Sequence, residues 1–287
     1  MPAAALALVL TAAVFHSCWN ALTKRAEDQF AFLCSALAVG AVLFLPVTLS
    51  SLPPGGVPAG AWPFVVATVL LHALYFVALG RSYRSGEFSL VYPMARGLGV
   101  ALVPILAVIF LDERPSALGA FGIAFVVLGI VALQWVGRSP VADGARWRPG
   151  PGTGWALLTG VTIGGYALVD KAGVSRLHPV PYIGLMFVGS LLLLLPVAVL
   201  RRQSVRREWA ANWRAILITS ALTLTAYLLV LFAFRLSKVG YVVAAREVSI
   251  VISVVIGRLW FGERRLPARL AGATLVLTGV ICLAFAR

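Results

Sequence analysis

Two arginines, Arg96 and Arg246, stand inside otherwise apolar stretches, and a glutamate, Glu247, directly follows the second. A guanidinium in the middle of a bilayer costs at least about 2.5–3.5 kcal/mol, so each arginine should face a wet cavity or a partner. In a cavity it could bind a substrate carboxylate or another anion. The alternative is that one or both lie near a helix end, extend to the headgroups and stabilise packing.

Two acids, Asp170 and Glu247, also lie inside or at the end of apolar stretches, each beside a basic neighbour, Lys171 and Arg246. Neighbours on a helix point about 100° apart, so neither pair needs to be a salt bridge. An acid here could hold an ammonium group or carry a coupling proton, for which His72 is a further candidate. The alternative is a structural counter-ion for a nearby arginine.

Polar and aromatic side chains share one face of the first apolar stretch. His16, Trp19 and Asn20 fall at i, i+3 and i+4. Such a face suits a cavity for a small organic molecule, and its rings could hold an ammonium group. The alternative is interfacial or core packing, which is common for Tyr, Trp and a lone His. Further candidates for the cavity lining are His72, Tyr75, Phe76, Tyr92, Tyr166, Thr223 and Tyr227.

The elements that must position these residues are membrane helices. The chain of 287 residues is 61% hydrophobic and only 12% charged, whereas a soluble domain carries about 25% charged residues. Apolar runs of roughly 20 residues recur, each long enough to cross a bilayer core as a helix. The sequence predicts an all-α membrane protein. The ten expected spans are 3–23, 30–50, 61–81, 88–110, 117–136, 154–171, 181–200, 213–234, 239–261 and 267–285.

The two halves of the chain are similar at a constant offset. The matched pairs are Arg96 with Arg246, Glu113 with Glu263, Gly122 with Gly272 and Gly129 with Gly279. These matches indicate an internal duplication with five helices in each copy. Because five is odd, the second copy enters the membrane in the opposite sense, which gives two inverted repeats around a central cavity. The predicted units are 1–137, a connecting loop at 138–153, and 154–287.

The net charge of +14 comes from Lys and Arg that lie mostly between apolar stretches. This placement is typical of anchoring to anionic lipid rather than of nucleic-acid binding. The basic residues are concentrated in loops after odd-numbered spans, which predicts cytoplasmic odd loops and both termini outside. The Glu-Arg turns at Glu113 and Glu263 are expected to be structural, with the glutamate capping a helix or pairing with an arginine.

Several kinds of chemistry have no signature in the sequence. The cysteines Cys18, Cys34 and Cys282 fall in apolar stretches without metal-type spacing. There is no Walker motif, no H-E-x-x-H and no Ser/His/Asp arrangement with a nucleophile elbow. We therefore expect no cofactor, no bound metal and no enzymatic activity.

The segments 90–133 and 240–283 each contain an arginine-bearing fourth helix, a Glu-Arg turn and a fifth helix with G-x6-G. This layout resembles the EamA repeat of the drug/metabolite transporter superfamily, and the resemblance covers essentially the whole chain. It implies ten helices around a cavity formed largely by helices 1, 3, 4, 6, 8 and 9. It also implies export of amino acids and related metabolites, with the aromatic-amino-acid exporter type (YddG-like) as the nearest kind.

The leading hypothesis is a secondary transporter in the bacterial inner membrane that exports amino acids or related small metabolites by alternating access. Its partners are then the small-molecule substrate and the lipid bilayer, and it is expected to work as a monomer. A carrier for organic anions, such as sugar phosphates or nucleotide sugars, is the alternative favoured by the excess of intramembrane arginine. A membrane enzyme acting on lipid-linked substrates is a third hypothesis.

Overall fold

The structure, a computed structural model, describes residues 1–85, 88–137, 152–252 and 266–286, without the side chains of 83, 88–93, 133–137 and 266–270. Regular structure in these ranges is helical. The α-helices are α1 (Ala3–Lys24), α2 (Gln29–Ser50), α3 (Trp62–Ser85), α4 (Phe88–Leu111), α5 (Ala117–Gly137), α6 (Thr153–Gly173), α7 (Pro179–Leu200), α8 (Arg202–Leu236), α9 (Val239–Arg246) and α10 (Leu266–Phe285).

Within the described residues, α1, α2, α3, α4, α7 and α8 are long and apolar enough to cross a membrane. Helices α5 and α10 contain shorter apolar stretches. Large apolar side chains face outward, and Leu43 and Phe110 are each 71% exposed. Contiguous apolar surface of this kind is unfavourable in water and normal against lipid chains. The chain is therefore a multi-pass membrane protein.

The predicted loop before the eighth span is wrong, because this segment is helical. Helix α8 begins at Arg202 and is interrupted only at Asn212, whose φ of −130° is outside the helical range. Arg, Gln, Glu and Ala favour helix even where the segment is too polar for a membrane core. The buried Glu208 also fixes this segment, since its carboxylate accepts the Asp28 N–H at 2.7 Å and the Asn212 amide at 2.9 Å.

The predicted ninth span at 239–261 is not one continuous helix. Helix α9 ends at Arg246, Glu247 forms a turn, and the backbone is helical again at 248–252. The Glu247 N–H bonds to the Ala244 carbonyl at 3.1 Å, an i to i+3 bond that tightens the chain locally. The rest of this span lies outside the described residues, as do Glu263, its turn and the connecting loop.

The two halves of the chain pack against each other through corresponding pairs of helices. Helix α1 packs on α8 as α6 packs on α3, and α4 packs on α6 as α1 packs on α9. Helices α5 and α10 approach closely, with Gly122 opposite Gly279 and Gly129 opposite Gly272. A Cβ at Gly129 would lie 2.7 Å from the Gly272 carbonyl oxygen, so only glycine fits there. This register makes α5 and α10 antiparallel.

Glu113, in the turn between α4 and α5, ties the first half of the chain to the second. One carboxylate oxygen accepts the N–H of Val239, the first residue of α9, at 2.6 Å, which confirms the predicted capping role. The other lies 3.2 Å from Lys171 Nζ, so its ion-pair partner is a lysine. Lys171 Nζ also donates to the carbonyls of Phe234 and Ser237 at the end of α8. This network joins the halves at one end of the bundle.

Candidate functional site

A cavity lies between α1, α2, α3, α4, α6, α7, α8 and α9. It gathers polar and aromatic residues that the sequence singles out: His16, Trp19, His72, Tyr75, Phe76, Arg96, Tyr166, Thr223, Tyr227 and Arg246. It also contains apolar residues that no sequence signal separates from lipid-facing ones: Ala12, Leu33, Ala36, Leu37, Met186, Phe187, Ala226 and Val230. The helical spacing thus brings distant segments to one site.

Asn20, which the sequence also places among the candidate lining residues, is not one of the residues that line this cavity. Its side-chain amide donates to the His16 carbonyl one turn earlier, at 2.8 Å. Short polar side chains readily bond to their own helix in this way, and the group is then satisfied without a ligand. Tyr92, the other predicted lining residue, lies outside the described side chains.

An aromatic wall forms one side of the cavity. The His72 ring stacks on Tyr166 at 4.3 Å between centroids and meets the edge of Tyr227 at 5.3 Å. Tyr75 meets Tyr166 edge-on at 5.8 Å. His72 Nδ1 is held 3.0 Å from the hydroxyl of Thr68, one turn earlier on α3. The wall therefore has a fixed shape and offers both ring faces and polar edges to a ligand.

Asp170 lies behind this wall and is completely buried. Its carboxylate accepts hydrogen bonds from the hydroxyl of Tyr182 at 2.8 Å and from that of Tyr227. The neighbouring Lys171 points away, toward Glu113. Because Tyr227 also lines the cavity, Asp170 is connected to the cavity through that phenol. In the described part of the chain no group of three His, Cys, Asp or Glu side chains converges to hold a metal ion.

Arg96 forms a buried ion pair with Glu247 across the two halves. Its Nη2 lies 2.5 Å from Oε1, and its Nε donates to Oε2 at 3.3 Å. The two side chains are only 5% and 1% exposed. The contact is bidentate, the geometry that makes arginine–carboxylate pairs strong and well oriented. Glu247 is therefore the counter-ion of Arg96 and not of its neighbour Arg246.

Arg246 has a different environment, although it occupies the matching position. It is the last residue of α9, lines the cavity and is 6% exposed. Its buried Nε has no hydrogen-bond acceptor, and its guanidinium makes no ion pair with any described residue. Buried polar groups are almost always satisfied, so an unpartnered donor beside a cavity is available to a hydrogen-bond acceptor on a ligand.

A second, smaller cavity adjoins the first. It shares Leu33, Leu37 and Phe76 with the first. Its other lining residues include Thr23 near the end of α1, Gln29 at the start of α2 and Gly80 toward the end of α3. By connectivity this end of the bundle is opposite the Glu113 network. The cavity therefore leads away from the end at which that network joins the two halves.

The chain is a multi-pass membrane protein whose apolar helical bundle encloses a buried cavity lined by two arginines. Residues 150–285 match the model of the EamA-like transporter family. The resemblance seen in the sequence is thereby confirmed for that half, while the aromatic-amino-acid exporter type stays a prediction.

Two proteins of known name or structure are similar to this chain. The nicotine metabolites export pump subunit NepA of Paenarthrobacter nicotinovorans is 35% identical over 69 residues, which are 24% of this chain and 60% of that protein. A solved crystal structure aligns with a TM-score of 0.72 over 99% of this chain and 97% of its own. At 15% identity the latter shows a shared fold alone.

Proposed function

We propose that this protein is a secondary transporter that exports small organic metabolites bearing a carboxylate, amino acids foremost, across the bacterial inner membrane. The EamA-like unit supports the transport class, and the relative named as an export pump for nicotine metabolites supports export of small organic molecules. Both favour a transporter over an enzyme. The observation that carries the proposal is the unpartnered Arg246 guanidinium in the cavity.

Arg246 supplies the binding energy for the acidic group of the substrate. A guanidinium can hold a carboxylate through two parallel hydrogen bonds, and such charged bonds contribute about 1.5–3 kcal/mol each. The rings of Tyr75, Tyr166 and Tyr227 supply apolar contact for the rest of the molecule. Their faces can also hold an ammonium group, with the buried Asp170 behind them as the nearest acid on that side.

Transport by this site requires alternating access, for which we propose ten membrane helices in two inverted five-helix repeats. The exchangeable packing of α1 on α8 and α6 on α3 supports this arrangement, as does the antiparallel register of α5 and α10. In the described conformation the Glu113 network joins the halves at one end, and the cavity leads toward the other. In a second conformation the joined end would be open and the other end closed, and the substrate would have been carried across the membrane.

Proton coupling fits Asp170 best among the three candidates. Its carboxylate touches the cavity wall through the hydroxyl of Tyr227, which is itself a lining residue. His72 belongs to the same wall and contacts the Tyr227 ring. Glu247 is held by Arg96 in a bidentate pair instead. The monomeric state of the transporter stays a prediction.

The charge balance of the site favours amino acids over organic dianions. Two buried arginines, Arg96 and Arg246, are matched by two buried acids, Glu247 and Asp170. A sugar phosphate would need both guanidiniums, and one of them is already paired. An amino acid needs one cation for its carboxylate and an acidic or aromatic environment for its ammonium group.

Counterflow in proteoliposomes tests the proposal. Vesicles preloaded with unlabelled amino acids are assayed for uptake of the labelled compounds, with a sugar phosphate as the competing substrate class. We expect exchange of at least one amino acid, and Arg246→Met should reduce it about tenfold or more. Arg207→Met is the matched control, since that arginine is exposed on α8. Exchange no faster than in protein-free vesicles, or equal activity of the two variants, would contradict the proposal.

A further inference from the structure

The two arginines of the cavity differ in one neighbouring residue. Arg96 is followed by Gly97, whereas Arg246 is followed by Glu247. This single acid in the second half crosses to the arginine of the first half and pairs with it. The two similar halves therefore provide two guanidiniums. Glu247, which has no counterpart in the first half, neutralises one of them.

We propose that Glu247 sets the charge selectivity of the site by neutralising Arg96, which leaves one guanidinium for the ligand. The inference rests on the proposed function, because it assigns the number of negative charges that the same cavity accepts. With Glu247 in place the site fits a ligand with one anionic group. Without it, a ligand with two negative charges would find two cations.

Arg96 is placed to bind a ligand if its partner is removed. Like Arg246, it lines the cavity, and it lies on α4, which packs against α9. Its pair with Glu247 is bidentate and almost fully buried, so water screens it little. The neutralisation therefore persists at ordinary salt concentrations and acts as a fixed property of the site.

Asp170, the buried acid behind the aromatic wall, does not have this effect on Arg246. Both carboxylate oxygens of Asp170 accept tyrosine hydroxyls, and Asp170 is not among the lining residues of the cavity. Thr223 and Tyr227 face the same space with neutral side chains. The difference in charge between the two arginines thus depends on Glu247 alone among the cavity's described surroundings.

A pair of probes with the same ring separates this role from a merely structural one. 3-Phenylpropanoate carries one negative charge, and phenyl phosphate carries close to two at pH 8 because its second pKa is about 6. Dissociation constants of both are measured by calorimetry on the purified full chain in detergent. The native protein should bind 3-phenylpropanoate more tightly, and Glu247→Gln should move the ratio of the two constants toward phenyl phosphate about tenfold or more.

Two further variants keep the test decisive. Glu247→Asp retains the charge and should keep the native ratio. The double variant Arg96→Met with Glu247→Leu removes both charges, should fold, and should also keep the native ratio. A ratio unchanged within about twofold in Glu247→Gln, or a double variant that prefers phenyl phosphate, would overturn the inference. If Arg246→Met does not weaken either probe in the native background, the proposed function fails instead.

Discussion

Arg96 and Arg246 are the same residue at matching positions of two similar halves, yet their surroundings differ completely. Arg96 is bonded through two nitrogens to Glu247, whereas the buried Nε of Arg246 has no acceptor in the described structure. Both guanidiniums are almost inaccessible and both line the same cavity. The comparison teaches that a matching position in the sequence does not by itself fix a residue's role, because the nearest counter-ion decides it.

The largest effect is expected from breaking the ion pair between Arg96 and Glu247. Arg96→Met leaves Glu247 as a buried, uncompensated charge, and loss of one partner of such a pair costs about 3–5 kcal/mol. The free energy of unfolding in detergent should fall by this amount. The double variant with Glu247→Leu should recover stability to within about 1 kcal/mol, since an apolar pair needs no counter-ion. An Arg96→Met protein as stable as the native one would show that the pair is not formed.

The opposite pattern is expected at the second arginine. Arg246→Met removes a group that forms no ion pair with any residue the structure describes, so stability should change by no more than about 1 kcal/mol. Affinity for 3-phenylpropanoate should fall about tenfold to a hundredfold, which corresponds to one charged hydrogen bond. Calorimetric titration of the variant gives the affinity, and thermal unfolding gives the stability. A large loss of stability with unchanged affinity would assign Arg246 to packing.

The buried carboxylate of Asp170 depends on hydrogen-bond donors that can be removed one at a time. Its two oxygens accept hydroxyls from Tyr182 and Tyr227, so each Tyr→Phe change removes one donor. We expect a loss of about 1–3 kcal/mol for either variant, because the buried carboxylate loses one hydrogen-bond donor. Only Tyr227→Phe should also alter transport, since only Tyr227 lines the cavity. Equal transport by both variants would separate Asp170 from the cavity.

The sequence predicts much of this site because helical spacing is regular. The three-residue and four-residue spacing predicts that His72, Tyr75 and Phe76 share one face of a helix, and they do so in the structure. The same reasoning fails for Asn20, whose amide bonds to its own helix. The apolar lining residues Met186 and Phe187 could not be found, because nothing in their chemistry distinguishes them from residues that face lipid.

The ion pair itself could not be predicted from the sequence. Arg96 and Glu247 are 151 positions apart, and the duplication matches Arg96 with Arg246 instead of with the acid. The turn at Glu247 could not be predicted either, because every residue around it is compatible with helix. Both features depend on packing of α4 against α9, which the sequence pattern does not specify.

The smallest effect is expected at an arginine other than Arg96 and Arg246. Arg207 is exposed on α8, and surface substitutions usually change stability by less than about 0.5 kcal/mol. Arg207→Met should therefore match the native protein in unfolding and in ligand affinity. A substantial change in either quantity would mean that loss of any positive charge affects this chain, which would weaken the contrast between the buried arginines.

The account's central claim is that one buried arginine is structural and the other binds the ligand. The most direct test is the dissociation constant of 3-phenylpropanoate for two variants measured side by side, Arg246→Met and the double variant Arg96→Met with Glu247→Leu. We expect the double variant to keep the native affinity within about threefold, and Arg246→Met to lose about tenfold or more. Retained binding in Arg246→Met together with lost binding in the double variant would contradict the claim.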